Sequence, residues 1–254
     1  KELIKFPTIK TEDKGIMKFL SKKLSSIGFK CKIIKSKGLD SKYALNLFAK
    51  YGNSKPHINY LGHTDVVLNL SNWSVPPFKG IIRKGYLIGR GAQDMKGGIA
   101  CWMSAVSKFI NNNKFKGSIS IIIAADEETT GYGTQEVMKY LRKTKETIDF
   151  AIVGEPSSNK KIGDEIRIGR RGSMNAKLMV IGKSGHSAFH GSYINPCTTL
   201  ARIIAKLKSL KLDTGTKYMP PSNLEISKMH VDNLSENVVP QSAEAYFNVR
   251  FNSK

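Results

Sequence analysis

The sequence predicts an α/β protein in two parts, a larger domain with a largely parallel sheet and a smaller β-α-β-β module. Two observations support this fold class. Short apolar or β-branched runs alternate with helical patterns over the first two thirds of the chain, as they do in parallel α/β sheets. After about Gly172 the rhythm changes to strand, helix, strand, strand. We therefore expect one domain over residues 1–171 and a second over residues 172–254.

The elements of the larger domain follow from the spacing of its apolar residues. Ile16, Leu20, Leu24 and Ile27 recur at helical intervals, and Gly28 marks the end of that helix. Apolar or β-branched runs predict five strands, at residues 32–34, 44–49, 58–61, 119–125 and 150–153. The apolar pattern at residues 99–110 predicts a second helix before the fourth of these strands.

The smaller module is predicted in the same way. Its patterns indicate a strand, a helix and two further strands, at residues 177–181, 196–210, 224–229 and 243–251. In the last strand Ala245, Phe247, Val249 and Phe251 alternate with polar side chains. Because side chains alternate across a strand, we expect one face of it to be buried and the other to be solvated.

The charge balance of the chain is strongly basic. The sequence has 41 Lys and Arg residues against 20 Asp and Glu, which gives a net charge of +21 and would suit a nucleic-acid partner. However, only eight of the basic residues are Arg, and the Lys are spread through every segment without the interleaved aromatics of a binding groove. We therefore expect no nucleic-acid partner.

Signals for export or membrane insertion are missing from the sequence. No apolar run approaches the roughly 18–20 residues that span a bilayer, and the lysine-rich start has no signal-peptide pattern. Cys31, Cys101 and Cys197 are far apart, so neither a disulfide framework nor a cysteine zinc site is expected. We expect a cytoplasmic protein with no membrane partner.

Because the chain begins without Met and stops in or just after a strand, we also expect a fragment.

Acidic and imidazole side chains cluster where the predicted strands end. The set comprises His63 and Asp65, residues 126–128, Glu155, and Asp94 in a glycine-flanked loop before the second helix. In open α/β sheets, ligands bind just beyond the carboxyl ends of the strands. We therefore expect these side chains to form one site.

The chemistry of this set favours a metal site. Carboxylates gathered at one sheet edge repel one another, and bound cations offset that repulsion. One imidazole with several carboxylates suits zinc, and a carboxylate is a natural bridge between two ions. The spacing of His63 and Asp65 places both side chains on one side of an extended segment, so Asp65 can orient the imidazole. Of the adjacent Glu127 and Glu128, one can bind metal while the other takes a proton from water.

Several motifs, in a fixed order, resemble the di-zinc aminoacylase and carboxypeptidase family. They are Leu61-Gly62-His63-Thr64-Asp65, Gly89-Arg90-Gly91-Ala92-Gln93-Asp94-Met95-Lys96-Gly97-Gly98, Ala125-Asp126-Glu127-Glu128 and Gly154-Glu155-Pro156. The resemblance extends over essentially the whole chain. It implies a mixed sheet with flanking helices, plus a smaller α+β lid that also forms a homodimer interface, both of them truncated at the C-terminus.

The same resemblance implies a set of metal ligands. His63, Asp94 and Glu155 would hold one divalent ion, and Asp94 would bridge to a second ion that Glu128 also holds. Both ions would be zinc, with cobalt as an alternative in one site.

Catalytic roles are implied as well. Asp65 would orient His63, and Glu127 would act as the general base that activates water and later protonates the departing amine. His186 of the lid would reach the active site of the partner subunit and steady the oxyanion. His190 is the second choice for that role.

The substrate is implied by the segments Gly163-Asp164-Glu165-Ile166 and Gly169-Arg170-Arg171-Gly172-Ser173. They are most similar to the branch of the family that hydrolyses the succinyl amide of N-succinyl-LL-2,6-diaminopimelate in lysine and diaminopimelate biosynthesis. That small molecule carries several carboxylates, which the planar guanidinium group binds best. We expect a set of substrate-binding residues that comprises Arg170 or Arg171 with Ser173, Asn237 and Arg250.

Two alternatives stay open, and two departures from the family pattern are visible. The alternatives are a sister amidohydrolase, such as an acetylornithine deacetylase or an aminoacylase, and a non-catalytic basic binding protein on the same fold.

Complete members of the family supply a further metal-ligand His near the C-terminus, which nothing in this sequence matches, so we expect the polypeptide as given to be inactive or nearly so. Residues 68–71 replace a Pro- and Gly-containing turn, and we expect only a local loop change.

Overall fold

A computed structural model describes residues 1–39, 42–67, 73–233 and 235–252 of the chain. The chain divides into two compact units, Lys1–Asp164 and Glu165–Lys254. This division falls shortly before the boundary expected between residues 171 and 172, and residues 165–171 form no helix or strand. The loop change expected at residues 68–71 lies outside the described residues.

The first unit is built on a five-stranded sheet. Its strands in chain order are β1 (Lys30–Lys37), β2 (Tyr43–Tyr51), β3 (His57–His63), β6 (Ser118–Ala124) and β7 (Phe150–Val153). In space their order is β1-β2-β6-β3-β7. β3 runs parallel to both β6 and β7, whereas β2 is antiparallel to both β1 and β6. A separate antiparallel hairpin joins β4 (Ile81–Arg83) to β5 (Tyr86–Ile88).

The sheet is therefore mixed, as the family resemblance implies, and the expectation of a largely parallel sheet is wrong for β1 and β2. β1 ends at Lys37 and β2 begins at Tyr43, so only five residues join them. The Gly38 amide donates to the Lys42 carbonyl between the two strands. A connection this short joins antiparallel strands, because a parallel pair needs a crossover of a dozen or more residues.

Helices cover both faces of the sheet. Helices α1 (Ile16–Ser25) and α2 (Gly97–Asn112) pack on one face, and α3 (Tyr132–Lys143) packs on the other. Alternate side chains of β6 enter the two layers: Ile121 belongs to the α1–α2 cluster, and Ile122 belongs to the α3 cluster. Every residue of β6 is buried as a result. The helices predicted at 16–27 and 99–110 are thus confirmed as α1 and α2, while α3 has no counterpart among the predicted elements.

The second unit contains an antiparallel three-stranded sheet and one helix. Its main strands are β8 (Gly172–Ile181), β10 (Asn223–His230) and β12 (Ser242–Phe251), in the order β10-β12-β8. Helix α4 (Pro196–Ser209) packs on this sheet, and two short strands, β9 (Gly185–His186) and β11 (Val238–Val239), pair beside it. The predicted order of strand, helix, strand, strand is confirmed.

Strand β12 is buried over only part of its length. Ala243 and Ala245 are fully buried and cluster with Leu200 of α4. Phe251 lies at the end of the strand and is exposed, so the expectation that it belongs to the buried face is wrong. Within the described part of the chain, no helix is both long and apolar enough to cross a membrane.

Candidate metal centre

Three parallel strand ends bring the predicted site residues of the first unit together. His63 is the last residue of β3, which lies between β6 and β7 in the sheet. Glu127 and Glu128 follow the end of β6, and Glu155 follows the end of β7. Because β3, β6 and β7 are mutually parallel, their carboxyl ends share one edge of the sheet. The structure therefore brings His63, Glu127, Glu128 and Glu155 to one edge of the sheet.

His63 lies at the centre of this cluster and is only 2% exposed. Its Nε2 atom is 3.0 Å from Asp94 Oδ1 and 3.4 Å from Glu155 Oε1. Its Nδ1 atom faces two oxygens of Asp65, the backbone carbonyl at 3.0 Å and Oδ1 at 3.4 Å. Since both of these oxygens accept, Nδ1 carries a hydrogen, and in the neutral imidazole the Nε2 lone pair then faces the carboxylates.

The charge state of His63 responds to two opposing influences. Burial is the largest and lowers its pKa, because the imidazolium loses hydration. The hydrogen bond and charge of Asp65, together with the charges of Glu155 and Glu127, outweigh burial and raise the pKa from 6.5 to about 9. The raised pKa favours the protonated imidazole.

Asp65 is almost completely buried and joins two parts of the site. Besides facing His63, its Oδ1 accepts from the Glu127 amide at 3.2 Å and its Oδ2 accepts from the Glu128 amide at 2.9 Å. The carboxylate expected to orient the imidazole therefore also fixes the backbone that carries both glutamates.

The turn after β6 is held by two further buried side chains. The Asp126 carboxylate accepts from the Gly133 amide at 2.9 Å and from the Thr130 hydroxyl at 2.5 Å, close to the start of α3. Asn46 of β2 accepts from the Ala125 amide at 3.1 Å. Asp126 is therefore engaged in shaping the loop, which leaves the two glutamates after it at the site.

Asp94 is presented by an irregular turn. Residues Ala92–Lys96 form a single wide helical turn directly before α2, and Asp94 interrupts it with extended angles, φ −116° and ψ 103°. Gly91, just before the turn, has a φ of +77°, a backbone region that favours glycine. A Cβ atom at Gly91 would lie 2.9 Å from Val66, so the loops bearing His63 and Asp94 approach closely there.

The donor set fits a divalent metal ion. His63, Asp94 and Glu128 form one group whose potential ligand atoms all lie within 4.8 Å of one another, and His63, Glu127 and Glu155 form a second. The set of one imidazole and four carboxylates is typical of zinc and similar ions. Burial, and then the charges of Asp94 and Glu127, raise the pKa of Glu128. A bound cation would offset this electrostatic repulsion between the carboxylates.

In the second unit, His186 and Asn237 lie together. The Ala188 amide donates to His186 Nδ1 at 3.1 Å, so the proton of a neutral imidazole lies on Nε2. That Nε2 atom is 3.3 Å from Asn237 Nδ2, which is also a donor, so a hydrogen bond between the two side chains requires the Asn237 amide to turn its oxygen to Nε2. The His186 ring is exposed. His190 is exposed as well, and its ring makes an edge contact with Tyr193.

The candidate substrate-binding residues of the second unit differ in their surroundings. Arg171 donates to the Pro221 carbonyl at 2.9 Å and to Asn223 Oδ1 at 2.8 Å, so it is engaged within its own unit. Arg250 of β12 pairs in register with Ser173 of β8, and Arg250 is exposed.

Arg170 is exposed too, beside the start of β8. Exposed guanidinium groups at Arg170 and Arg250 are therefore available to a carboxylate in solution.

Sequence reasoning did not identify two buried polar residues next to the centre. One is Asn46, which holds the turn after β6, and the other is Lys96, which is 1% exposed. Burial lowers the pKa of Lys96 to about 8, although the charge of Asp65 opposes this. Lys96 lies between Met95 and Gly97, within the motif of residues 89–98, and a charged residue directly before an apolar helix was the available signal. The sequence around Asn46 has no comparable signal.

Comparison with known proteins places these features in a family. The sequence pattern of Peptidase family M20/M25/M40 matches residues 60–249, which include all of the candidate metal ligands.

Two curated relatives have the same name, succinyl-diaminopimelate desuccinylase. The one from Pelagibacter ubique (strain HTCC1062) is 49% identical, and the alignment covers 100% of this chain and 67% of the relative. The one from Rickettsia felis (strain ATCC VR-1525 / URRWXCal2) is 43% identical, with 100% and 68% covered. The chain spans about two thirds of the length of these relatives.

Solved structures show the same fold at low identity. The M20 family metallo-carboxypeptidase Sso-CP2 from Sulfolobus solfataricus aligns with a TM-score of 0.80 and 20% identity, covering 98% of this chain and 69% of that one. The Bacillus subtilis YXEP protein, described as a dinuclear metal binding peptidase, aligns with a TM-score of 0.61 and 16% identity, covering 99% and 62%.

Proposed function

Since the chain belongs to peptidase family M20/M25/M40, we propose that it is a metal-dependent amidohydrolase of the succinyl-diaminopimelate desuccinylase type. Its reaction is hydrolysis of N-succinyl-LL-2,6-diaminopimelate to succinate and LL-2,6-diaminopimelate, in lysine and diaminopimelate biosynthesis. The observation that carries this proposal is the 49% identity over the whole chain to a relative of that name, combined with an intact cluster of one imidazole and four carboxylates.

The first unit is the metal-binding part of this enzyme. We assign His63, Asp94 and Glu155 to one ion, and Asp94 with Glu128 to a second. The support is the 3.0 Å approach of Asp94 and the 3.4 Å approach of Glu155 to the same imidazole nitrogen, with Glu128 in reach of Asp94. Divalent zinc, or cobalt in one site, would polarise the amide carbonyl and make water a stronger acid.

Glu127 is the general base. Its backbone is fixed by Asp65 while its side chain is exposed, so the carboxylate can turn towards water and substrate. As the water oxygen attacks the succinyl carbonyl carbon, Glu127 accepts a water proton. It returns that proton to the amide nitrogen as the carbon–nitrogen bond breaks, so diaminopimelate leaves as a free amine.

The second unit is a lid that recognises the substrate and pairs with a second subunit. The Nε2–H of His186, reaching the active site of a second subunit, is a suitable donor to the oxyanion, and His190 is the alternative. Exposed Arg250, beside Ser173, and exposed Arg170 are the cations that bind substrate carboxylates, with Asn237 as a polar partner. Arg171 contributes by holding the segment at Pro221. We place this enzyme in the cytoplasm.

A substrate comparison tests the proposal. The chain is joined to the part of the Pelagibacter relative that the alignment leaves uncovered, loaded with zinc, and assayed on N-succinyl-LL-2,6-diaminopimelate and on N-acetylornithine. We expect strong preference for the succinylated substrate. Preference for N-acetylornithine would contradict the substrate assignment, and the absence of activity on both would favour a non-catalytic protein.

A further inference from the structure

Lys96 is a buried cation beneath the metal centre that the reaction does not use. It lies two residues after Asp94 in the turn before α2 and is 1% exposed. Its Nζ atom donates to the Phe6 carbonyl at 2.8 Å. In the part of the chain that the structure describes, Lys96 forms no salt bridge. A buried ammonium group is costly, so a Lys at this position needs a compensating role.

The carbonyl that Lys96 binds belongs to a short segment, residues 6–10, which we call the N-terminal strap. The strap runs along the loop that carries His63. The Thr8 hydroxyl donates to the Thr64 carbonyl at 2.5 Å, and the Val66 amide donates to the Thr8 carbonyl at 2.9 Å. Ile9 and Val66 form a parallel bridge. The strap therefore holds the segment between His63 and Val66 at several points.

The hydrocarbon stem of Lys96 makes the second connection. A Cβ atom at Gly91 would lie 3.2 Å from Lys96 Cδ and 2.9 Å from Val66 Cγ1, so the stem and Val66 both lie against the Gly91 backbone. The Lys96 amide also donates to the Gly91 carbonyl at 2.9 Å. One side chain thus contacts the Asp94 loop through its stem and the strap through its ammonium group.

We propose that Lys96 is a positioning residue, which fastens the N-terminal strap beneath the loops of His63 and Asp94 and so holds these two ligands at metal-binding distance. The inference rests on the metal site of the proposed function. It assigns a role in metal affinity to residues 6–10, which include none of the proposed metal ligands.

Zinc affinity of the 254-residue chain tests this role, measured at neutral pH by competition with a chromogenic chelator. Lys96→Met keeps most of the stem and removes the ammonium group. We expect it to bind zinc 10- to 100-fold more weakly, the usual loss when a residue supporting a metal ligand is removed. Lys108→Met removes the same charge from an exposed position on α2 and should leave the affinity unchanged.

Thr8→Val keeps the experiment decisive if Lys96→Met fails to fold. It removes the hydroxyl that binds Thr64, and we expect it to weaken zinc binding as well. Because both residues act through one strap, the loss of zinc-binding free energy in the double variant should be smaller than the sum of the losses in the two single variants. A purely structural role would lower the urea midpoint of either variant and leave its zinc affinity intact.

The possible outcomes distinguish failure of the positioning role from failure of the proposed metal site. If the wild-type chain binds zinc and the folded Lys96→Met variant binds it equally well, the positioning role is wrong while the proposed function stands. Full zinc affinity in Thr8→Val, or strictly additive losses in the double variant, would also overturn the role of the strap. If the wild-type chain binds no zinc, the proposed metal site itself is wrong.

Discussion

Asp65→Asn is the substitution whose effect follows most directly from the site geometry. The buried Asp65 carboxylate accepts the Glu127 amide on one oxygen and the Glu128 amide on the other, at 3.2 Å and 2.9 Å. Asparagine keeps one oxygen and places an NH₂ group against the remaining N–H. Two donors then face each other in a buried position, which costs about 1–3 kcal/mol. The variant also removes the charge that faces His63 Nδ1.

Two measurements follow from this reasoning. We expect the urea unfolding free energy of Asp65→Asn to fall by about 1–3 kcal/mol and its zinc affinity to fall about 10- to 100-fold. Asp149→Asn is the matched control, because that carboxylate accepts from the His57 amide and from Lys55 and contacts none of the proposed metal ligands. It should leave zinc affinity unchanged. A variant at Asp65 with normal stability and normal zinc affinity would refute the role assigned to this carboxylate.

Three further predictions concern the proposed general base Glu127, the His63 imidazole and the buried Asn46 side chain. In the lengthened, active enzyme, Glu127→Gln should reduce turnover by about 10²–10⁴-fold with unchanged zinc content by metal analysis; surviving turnover would rule out the general-base role. The folded-state pKa of His63, about 9, exceeds its unfolded value, so its stabilisation is complete below about pH 6.5 and is lost as pH rises. The urea midpoint of the metal-free chain should therefore decrease as the pH rises from about 6.5 to 8, and His63→Gln should remove this dependence. Above about pH 8 the lowered pKa of Lys96 makes stability change with pH in the opposite direction. Asn46→Ala should cost about 1–3 kcal/mol because the Ala125 amide loses its buried acceptor, and an unchanged unfolding free energy would contradict that account.

The sequence was most informative where local pattern and topology agree. His63, Glu128 and Glu155 could be brought together in advance, because each follows an apolar run and parallel strands end at one edge. Helix α3 was not predicted although its local pattern is helical: Val137, Tyr140 and Leu141 recur at i, i+3 and i+4 and pack against the sheet.

Long-range partners explain the rest of what was missed. Asn46 binds an amide 79 residues away, and Lys96 binds a carbonyl 90 residues away. Nothing in the local sequence around either residue identifies such a partner. The antiparallel pairing of β1 and β2 likewise follows from the short connection between Lys37 and Tyr43, whose length hydrophobic periodicity does not indicate.

Strand β7 has a consequence for how the protein behaves in solution. Among the described residues it lies at the end of the sheet and pairs only with β3, and Phe150, Ile152 and Val153 are all more than half exposed. An open strand edge with apolar side chains is a template for intermolecular pairing. The net charge of +21 opposes such encounters through mutual repulsion, and this repulsion is screened beyond about 10 Å at 0.1 M salt. Colloidal stability and ionic strength are therefore linked, and dilute buffers should keep the chain dispersed while added salt promotes its self-association.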